Sequence, residues 1–160
     1  MEKKYELTDE ILEVGGRVLH RINALRNFGN IKQGEIGGWI ENEDNLSHCG
    51  DCWVYGNAEV YGDAEVYGNA KVYGNAEVYG NAEVYGNAEV EKKSDYIVFK
   101  NWWSSGRYFT WTRSNDKWRV GCFYGTGEEL IKKAYNDSDE SGREYERIVK
   151  YVESIKSEIK

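Results

Sequence analysis

Between Val54 and Val90 the chain alternates apolar and polar positions with a period of six residues. Six copies of the pattern V-Y-G-[ND]-A-[EK] follow one another without a gap. In each copy, Ala-Glu-Val-Tyr predicts a short strand with Ala and Val on one face and Glu and Tyr on the other. The Gly-Asn pair predicts a corner, because both residues tolerate a positive φ at low cost. The pattern therefore indicates a stack of repeated units with Val and Ala inside.

Three such units close a triangle, so the period predicts a short triangular parallel β-helix with eighteen residues in each turn. The pattern also continues backwards in degenerate form, with Ile36 in a Val position and Ile40, Leu46 and Cys52 in Ala positions. The predicted hexapeptide-repeat region spans residues 36–90 and holds about three turns. At about 4.8 Å per turn the stack is only about 14 Å tall, so both of its ends need covering.

The N-terminal segment, residues 1–35, lacks the repeat. Two β-prone runs flank the pair Gly15-Gly16, which predicts a β-hairpin with a two-residue turn. Because a stack of strands exposes unpaired edges at its first layer, we expect this segment to form an N-terminal β cap.

Residues 91–160 predict a small C-terminal α+β unit of order βββαα. Three strand-like runs are separated by the turn sequences Ser-Ser-Gly and Ser-Asn-Asp, and they cover residues 95–103, 107–113 and 117–124. Two helices follow, each opened by a predicted capping box: Thr126 with Glu129, and Ser141 with Glu144. The whole chain is therefore predicted to be mainly β.

Charge and cysteine content narrow the class of protein. Residues 1–90 carry 7 Lys and Arg against 16 Asp and Glu, a net charge of −9, whereas residues 91–160 have a net charge of +2. This distribution argues against general nucleic-acid binding, which favours a broad basic stripe. Three cysteines without disulfide spacing, and no apolar signal segment, predict a reducing cytoplasm. No apolar run approaches the length of a membrane span.

The richest candidate chemistry lies in residues 96–124, which hold ten aromatic residues and five basic ones against a single acid. Arg and Trp on neighbouring strands are suited to pairing with phosphate and stacking on a base. The candidate ligand-binding residues are Arg107, Arg113, Arg119, Trp102, Trp103 and Trp111. The alternative is that the tryptophans form the core of the unit and the arginines flank it. Strand alternation puts Phe109, Trp111 and Arg113 on one face, which then needs a charged partner if it is buried.

Several stretches resemble a family of hexapeptide-repeat proteins that is common in bacteriophage and prophage genomes. They are residues 19–29 (LHRINALRNFG), residues 34–41 (GEIGGWIE) and the Y-G-N-A repeats, and residues 120–129 (VGCFYGTGEE) resemble a tail of phage members. The resemblance implies a left-handed β-helix, a handedness that the period alone does not give. Members are often labelled transferase or polymer-forming, and these labels imply little about activity.

Catalytic and metal-binding patterns are weak. Hexapeptide acyltransferases use a histidine base, and this chain offers only His20 and His48, with no long inserted loop for a pantetheine group. Cys49 and Cys52 have the spacing of half a zinc site, but the pattern points one outward and the other inward, and no second pair exists. We therefore predict no catalytic residue, metal or cofactor, and acyltransferase is the enzyme alternative.

Two classes of function remain. The first is a non-enzymatic phage-type binding protein, acting in the cytoplasm of the host cell. It would inhibit host defence by sequestering an anionic nucleotide signal or by blocking a defence protein. The second is a structural or oligomerisation module. A homo-oligomer, with a trimer favoured, is expected because so short a stack has little core of its own. The face that carries Trp53, Lys71 and Glu89 is the predicted self-association surface.

Overall fold

A computed structural model describes residues 2–159. Its strands are β1 Tyr5–Val14, β2 Arg17–Ala24, β3 Ile36–Ile40, β4 Trp53–Val54, β5 Glu59–Val60, β6 Glu65–Val66, β7 Lys71–Val72, β8 Glu77–Val78, β9 Glu83–Val84, β10 Glu89–Val90, β11 Tyr96–Lys100, β12 Tyr108–Thr112, β13 Lys117–Val120 and β14 Phe123–Gly125. Its helices are α1 Gly127–Asp137 and α2 Asp139–Ile155. The strands form four sheets, of order β1-β2-β3-β5-β8, β10-β7-β4, β6-β9 and β11-β12-β13-β14.

We call the six-residue repeat units hexads. Their apolar positions form the core of the repeat region, as the period predicts. Every Val and Ala from Val54 to Val90 is at most 1% exposed. Glu59 pairs with Glu77, and Glu65 with Glu83, in parallel register eighteen residues apart. The inside and outside positions of the repeat are therefore confirmed.

The prediction of a short triangular left-handed parallel β-helix is wrong. Within residues 2–159 the strands belong to four separate sheets, the largest of which mixes parallel and antiparallel pairing, so the repeat is not closed. Each strand inside the perfect repeats is only two residues long, and a glycine with positive φ interrupts the ladder at each corner. The N-terminal hairpin joins the largest sheet, because β2 pairs antiparallel with β3, which continues in parallel to β5.

The hairpin itself forms at the predicted place, since Gly15 and Gly16 turn between β1 and β2 with φ of 54° and 82°. The degenerate hexads, however, start in a different register. Ile40 pairs with Val60, and Leu46 bridges to Val66, each at a spacing of twenty residues. Both side chains therefore occupy Val positions, and the prediction of Ala positions is wrong.

The C-terminal unit contains four strands, so the predicted βββαα order is wrong by one strand. The additional strand, β14, follows a tight turn at Gly121 and pairs with β13. The Thr126–Glu129 capping box is confirmed at the start of α1. The second predicted box is wrong, because α2 begins behind Ser138, whose side chain accepts from the N–H of Ser141.

The two faces of the C-terminal sheet contact different parts of the molecule. One face packs on α1 and α2 and forms a second core. That core is made of Phe109, Trp111, Trp118, Leu130, Ala134, Tyr145, Val149 and Val152. The other face lies against the hexads, where Tyr96 and Val98 pack on the first core. Among residues 2–159, no helix is long and apolar enough to cross a membrane.

Candidate ligand-binding site

A cleft of about 290 Å³ opens where the connection from β11 to β12 meets the two helices. We call it the Arg107 cleft. Its floor is apolar and its rim is polar, and the lining residues are Asn101, Ser104, Ser105, Arg107, Val120, Phe123, Leu130, Lys133, Ala134, Asp137, Ser141 and Tyr145. A cleft that combines apolar side chains with several polar ones suits a ligand that has both apolar and polar parts.

Asn101 holds the connection that forms one wall of this cleft. Its side chain is buried, with 4% exposure, and its oxygen accepts from the backbone N–H groups of Trp103 at 3.2 Å and Ser104 at 2.9 Å. The hydroxyl of Ser104 also donates to this oxygen, and Nε1 of the neighbouring Trp103 donates to Ser141 of α2. The wall is therefore tied both to its own turn and to α2, which limits its freedom to move.

Two tryptophans follow Asn101 and have different environments. Trp103 is half-buried, donates from Nε1 to Oγ of Ser141 at 3.0 Å, and meets the Tyr145 ring edge-on at 5.0 Å between centroids. Trp102 is 69% exposed and lies 5.8 Å from the Trp103 ring. Burial raises the pKa of the Tyr145 phenol, so this group stays a neutral hydroxyl near pH 7.

The charged groups of the cleft leave one cation at its mouth. Lys133 pairs with Asp137 at 3.6 Å on α1. Arg107 is exposed, and the described residues give it no carboxylate partner, whereas Arg113 pairs with Asp95 at 3.5 Å. An unpaired guanidinium beside hydroxyl groups is suited to bind a carboxylate or a phosphate.

Two of the predicted site residues lie elsewhere and support the fold. Trp111 is in the second core, 1% exposed, and its Nε1 donates to Asp116 at 2.8 Å. Arg113 donates to the carbonyl oxygen of Ile159 at 2.7 Å and pairs with Asp95, which joins the end of β12 to the C-terminal segment. The charged partner that the Phe109 and Trp111 face requires is thus supplied within the chain.

Arg119 lies on the opposite face of the sheet, in a second cleft of about 390 Å³ between β13 and the hexads. Its guanidinium carbon is 4.6 Å from the centre of the Tyr85 ring and 5.2 Å from that of Tyr67. Its Nε is buried without a hydrogen-bond partner in the described part of the chain. The acidic side chains that line this cleft are Glu43, Asp44, Glu65 and Glu83. The predicted residues therefore divide between separate places: Arg107 lines the Arg107 cleft, Trp102 and Trp103 belong to the connection that forms its wall, and Arg119 lines the second cleft.

Both histidines are engaged in contacts of the N-terminal region. Nδ1 of His48 accepts from the backbone N–H of Lys4 at 3.1 Å, so the hydrogen of its neutral ring faces Glu43 from Nε2 at 2.8 Å. Nδ1 of His20 lies 3.2 Å from the carbonyl oxygen of Thr8. Within residues 2–159, no group of three or more His, Cys, Asp or Glu side chains is placed to hold a metal ion.

Sequence reasoning missed Asn101, Lys133, Ser141 and Tyr145 as parts of the cleft. Asn101 stands before Trp-Trp-Ser-Ser-Gly, and an Asn at the start of a turn was an available signal. The other three residues lie on α1 and α2, and no local pattern joins them to Arg107. Only the packing of the helices on the sheet places them there.

No protein-family model matches this chain, and no curated protein matches it either. The resemblance to phage hexapeptide-repeat proteins therefore stays a prediction that rests on residues 19–29, 34–41 and 120–129 and the repeats.

Proposed function

We propose that this protein is a non-enzymatic binding protein that holds an anionic nucleotide in the Arg107 cleft. The observation that carries the proposal is the unpaired Arg107 guanidinium at the mouth of a cleft with an apolar floor. The cleft lies wholly within residues 91–160, whose net charge of +2 favours an anionic ligand more than the acidic repeat region does.

The arrangement separates a place for the phosphate from a place for the base. The Arg107 guanidinium and the hydroxyl of Ser105 are suited to donate to phosphate oxygens at the rim, whereas the hydroxyl of Ser104 already donates to Asn101 at 3.2 Å. A planar base fits the apolar floor beside Val120 and Phe123. Trp102, which is exposed next to the same turn, offers a further stacking surface.

The biological part of the proposal is that binding sequesters a nucleotide signal of host defence without altering it. The resemblance of the sequence to phage proteins supports this part. In the proposal, the nucleotide is sequestered in the cytoplasm of an infected host.

One observation favours the alternative, in which the protein blocks a defence protein. Glu59 and Glu77 are paired on one side of the hexads, and Glu65 and Glu83 on another. Burial first, and the neighbouring carboxylate second, raise the pKa values of Glu59 and Glu65. A partner with a basic surface would relieve this repulsion, so the acidic hexads are the surface that we assign to a protein target.

Calorimetric titration tests the nucleotide proposal. The ligands are AMP, cyclic AMP and a cyclic dinucleotide, with inorganic phosphate as the probe that lacks a base. A charge-assisted bond contributes about 1.5–3 kcal/mol, so Arg107→Ala should weaken nucleotide binding by about tenfold or more. Chromatography of the ligand after incubation should recover it unchanged.

Arg147→Ala is the matched control, because Arg147 is an exposed arginine of α2 that pairs with Glu144 at 2.7 Å and does not line the cleft. This variant should bind like the wild type. If no nucleotide binds the wild type, or if Arg107→Ala binds equally well, the nucleotide proposal fails and the acidic hexads become the leading surface.

A further inference from the structure

The sheets of this protein leave two long strands at open edges, and only one of them carries protection against pairing with another chain. Edge strand β1 is interrupted by a register shift between Leu7 and Ile11 and carries acidic residues along its length, at Glu6, Asp9, Glu10 and Glu13. Bulges and charged side chains are the devices by which proteins keep an edge unpaired. The strand β11 (YIVFK) pairs without irregularity, and its only charged residue is Lys100, at its end.

Along β11, the backbone N–H and C=O groups of every second residue point to the open side of the strand. The N–H of Arg113 donates to the carbonyl oxygen of Asp95, and the N–H of Asn101 donates to that of Arg107. The backbone N–H and C=O groups of the odd-numbered residues in this segment therefore point toward β12. In an antiparallel ladder the residues between them face the other way. The N–H and C=O groups of Tyr96, Val98 and Lys100 therefore point away from β12, where no other strand of the described chain pairs with β11.

The space beside this edge is a groove of about 520 Å³ between β11 and a corner of the hexads. Two aromatic side chains are exposed along it, Tyr79 at 50% and Tyr108 at 40%. No acidic residue lines it, and Lys93 and Lys100 are its only charged groups. An open edge beside exposed aromatic rings is the setting in which proteins add a strand from another chain.

We infer that β11 pairs antiparallel with β11 of a second copy of this chain, with Val98 opposite Val98. This register is complementary to itself. It sets the one charged residue, Lys100, opposite the ring of Tyr96 in the other copy, and it brings no like charges together. Nζ of Lys100 already lies 6.0 Å from the centre of the Tyr108 ring within its own chain, so this site already holds a cation beside an aromatic ring.

The pairing would join two four-stranded sheets into one and satisfy the outward groups of Tyr96, Val98 and Lys100 in both copies. A pair related by a two-fold axis is a closed assembly, and it differs from the trimer that the short core suggested. The face with Trp53 and Lys71 is less suited to self-association, because Trp53 is fully buried against Phe28, at 5.2 Å between rings.

Sedimentation equilibrium of the full chain at micromolar concentrations tests this inference. The wild type should form dimers. Val98→Pro removes an outward N–H without removing a bond to β12, and by symmetry it deletes two bonds of the interface. Two bonds of about 0.7 kcal/mol each correspond to about a tenfold weaker association. Val98→Thr is the matched control, because it keeps the N–H and the β-branched shape, and it should dimerise like the wild type.

Hydrogen exchange on the wild type keeps the test independent of whether Val98→Pro folds. The amides of Tyr96, Val98 and Lys100 should become protected as the protein concentration rises, while those of exposed turns should not. A monomer throughout the micromolar range overturns the inference, and so does a dimer in which these amides exchange as fast as in the monomer. Nucleotide binding at the Arg107 cleft does not enter either measurement, so the two proposals can fail separately.

Discussion

The two ends of the hexad region differ in the hydrogen bonds that close them: side-chain donors at the first end and side-chain acceptors at the last. We call a layer the set of hexads that spans eighteen residues before the pattern stacks on itself. The N–H groups of Glu59 and Tyr61 donate to carbonyl oxygens of the following layer, those of Ala76 and Val78. This direction repeats along the region, so the first layer keeps an excess of carbonyl oxygens and the last layer an excess of N–H groups. Buried backbone groups need partners, and each end therefore requires a different kind of side chain.

Donor side chains close the first layer. Lys4 is fully buried, and its Nζ donates to the carbonyl oxygens of Cys52 at 2.7 Å and Gly50 at 3.3 Å. The hydroxyl of Tyr5 donates to the carbonyl oxygen of Leu46 at 2.6 Å. Burial lowers the pKa of Lys4, so keeping its ammonium group here costs free energy that these bonds offset.

Hydroxyl groups close the last layer as acceptors. Oγ1 of Thr110 accepts from the N–H of Glu83 at 2.9 Å, and Oγ of Ser114 accepts from the N–H of Glu89 at 2.7 Å. The hydroxyl of Tyr96 contacts the same layer as a donor, to the carbonyl oxygen of Glu77 at 2.9 Å. Both acceptors, Thr110 and Ser114, belong to the C-terminal unit, which is thus fitted to the end that it covers.

The comparison teaches that the two flanking segments cannot be exchanged. A lysine, which can only donate, could not serve the N–H groups of the last layer, and a side chain that can only accept would leave the carbonyl oxygens of the first layer unpaired. The direction of the hydrogen bonds in the repeats therefore dictates the chemistry of each end.

The largest expected effect is at the first layer. Tyr5→Ala removes a fully buried ring that stacks on His48 at 4.2 Å, together with the hydroxyl donor. Truncation of a buried aromatic ring costs about 3–5 kcal/mol, and we expect this loss in the free energy of unfolding by urea. Tyr5→Phe separates the two parts, because it keeps the ring and should cost about 1–3 kcal/mol for the unpaired carbonyl oxygen of Leu46. Equal stability of Tyr5→Phe and wild type would show that the donor is dispensable.

The next effect is at the last layer. Thr110→Val keeps the shape of a buried side chain and removes the acceptor of the Glu83 N–H, which should cost about 1–3 kcal/mol in the same urea experiment. Thr110→Ser is the control, since it keeps the hydroxyl and loses only a methyl group, which costs about 1 kcal/mol. If Val is tolerated better than Ser at this position, packing rather than hydrogen bonding closes the last layer.

The smallest effect is a change in how stability depends on alkaline pH. Burial raises the pKa of Tyr96 to about 12 in the folded protein, above its ordinary value near 10.0. The unfolded chain therefore loses this proton first, so the stability from Tyr96 is complete below pH 10 and is lost as the pH rises toward 12. Because Tyr96 is only partly buried, solvent screening reduces the linked loss to about 1 kcal/mol or less at pH 12.

Urea unfolding between pH 9 and pH 12 measures this dependence. Tyr96→Phe should be less stable than wild type at pH 9, because the carbonyl oxygen of Glu77 loses its hydroxyl donor. Its stability should then fall less steeply with pH. Parallel curves for the two proteins would contradict the prediction, since they would show that the Tyr96 hydroxyl ionises equally in the folded and unfolded chains.

The sequence by itself determined the features that depend on neighbouring residues. The hexad alternation predicts the burial of Val60 and Ala76, because a side chain's face follows from its place in a short strand. Gly15-Gly16 predicts the hairpin turn, because both residues tolerate positive φ. The capping box at Thr126 is likewise contained within four residues.

Only the tertiary structure decided the features that depend on distant contacts. The twenty-residue register of Ile40 is set where β3 lies between β2 and β5, and no local pattern encodes that choice. The places of Arg107 and Arg119 follow from which face of the C-terminal sheet meets the helices and which meets the hexads. Thr110 looks like an ordinary strand residue in the sequence, and it becomes a cap because the Glu83 N–H lies 2.9 Å away across the interface. Long-range packing selects among partners that the local chain leaves equally open, and that selection puts Arg107 and Arg119 in different clefts and Trp111 in the second core.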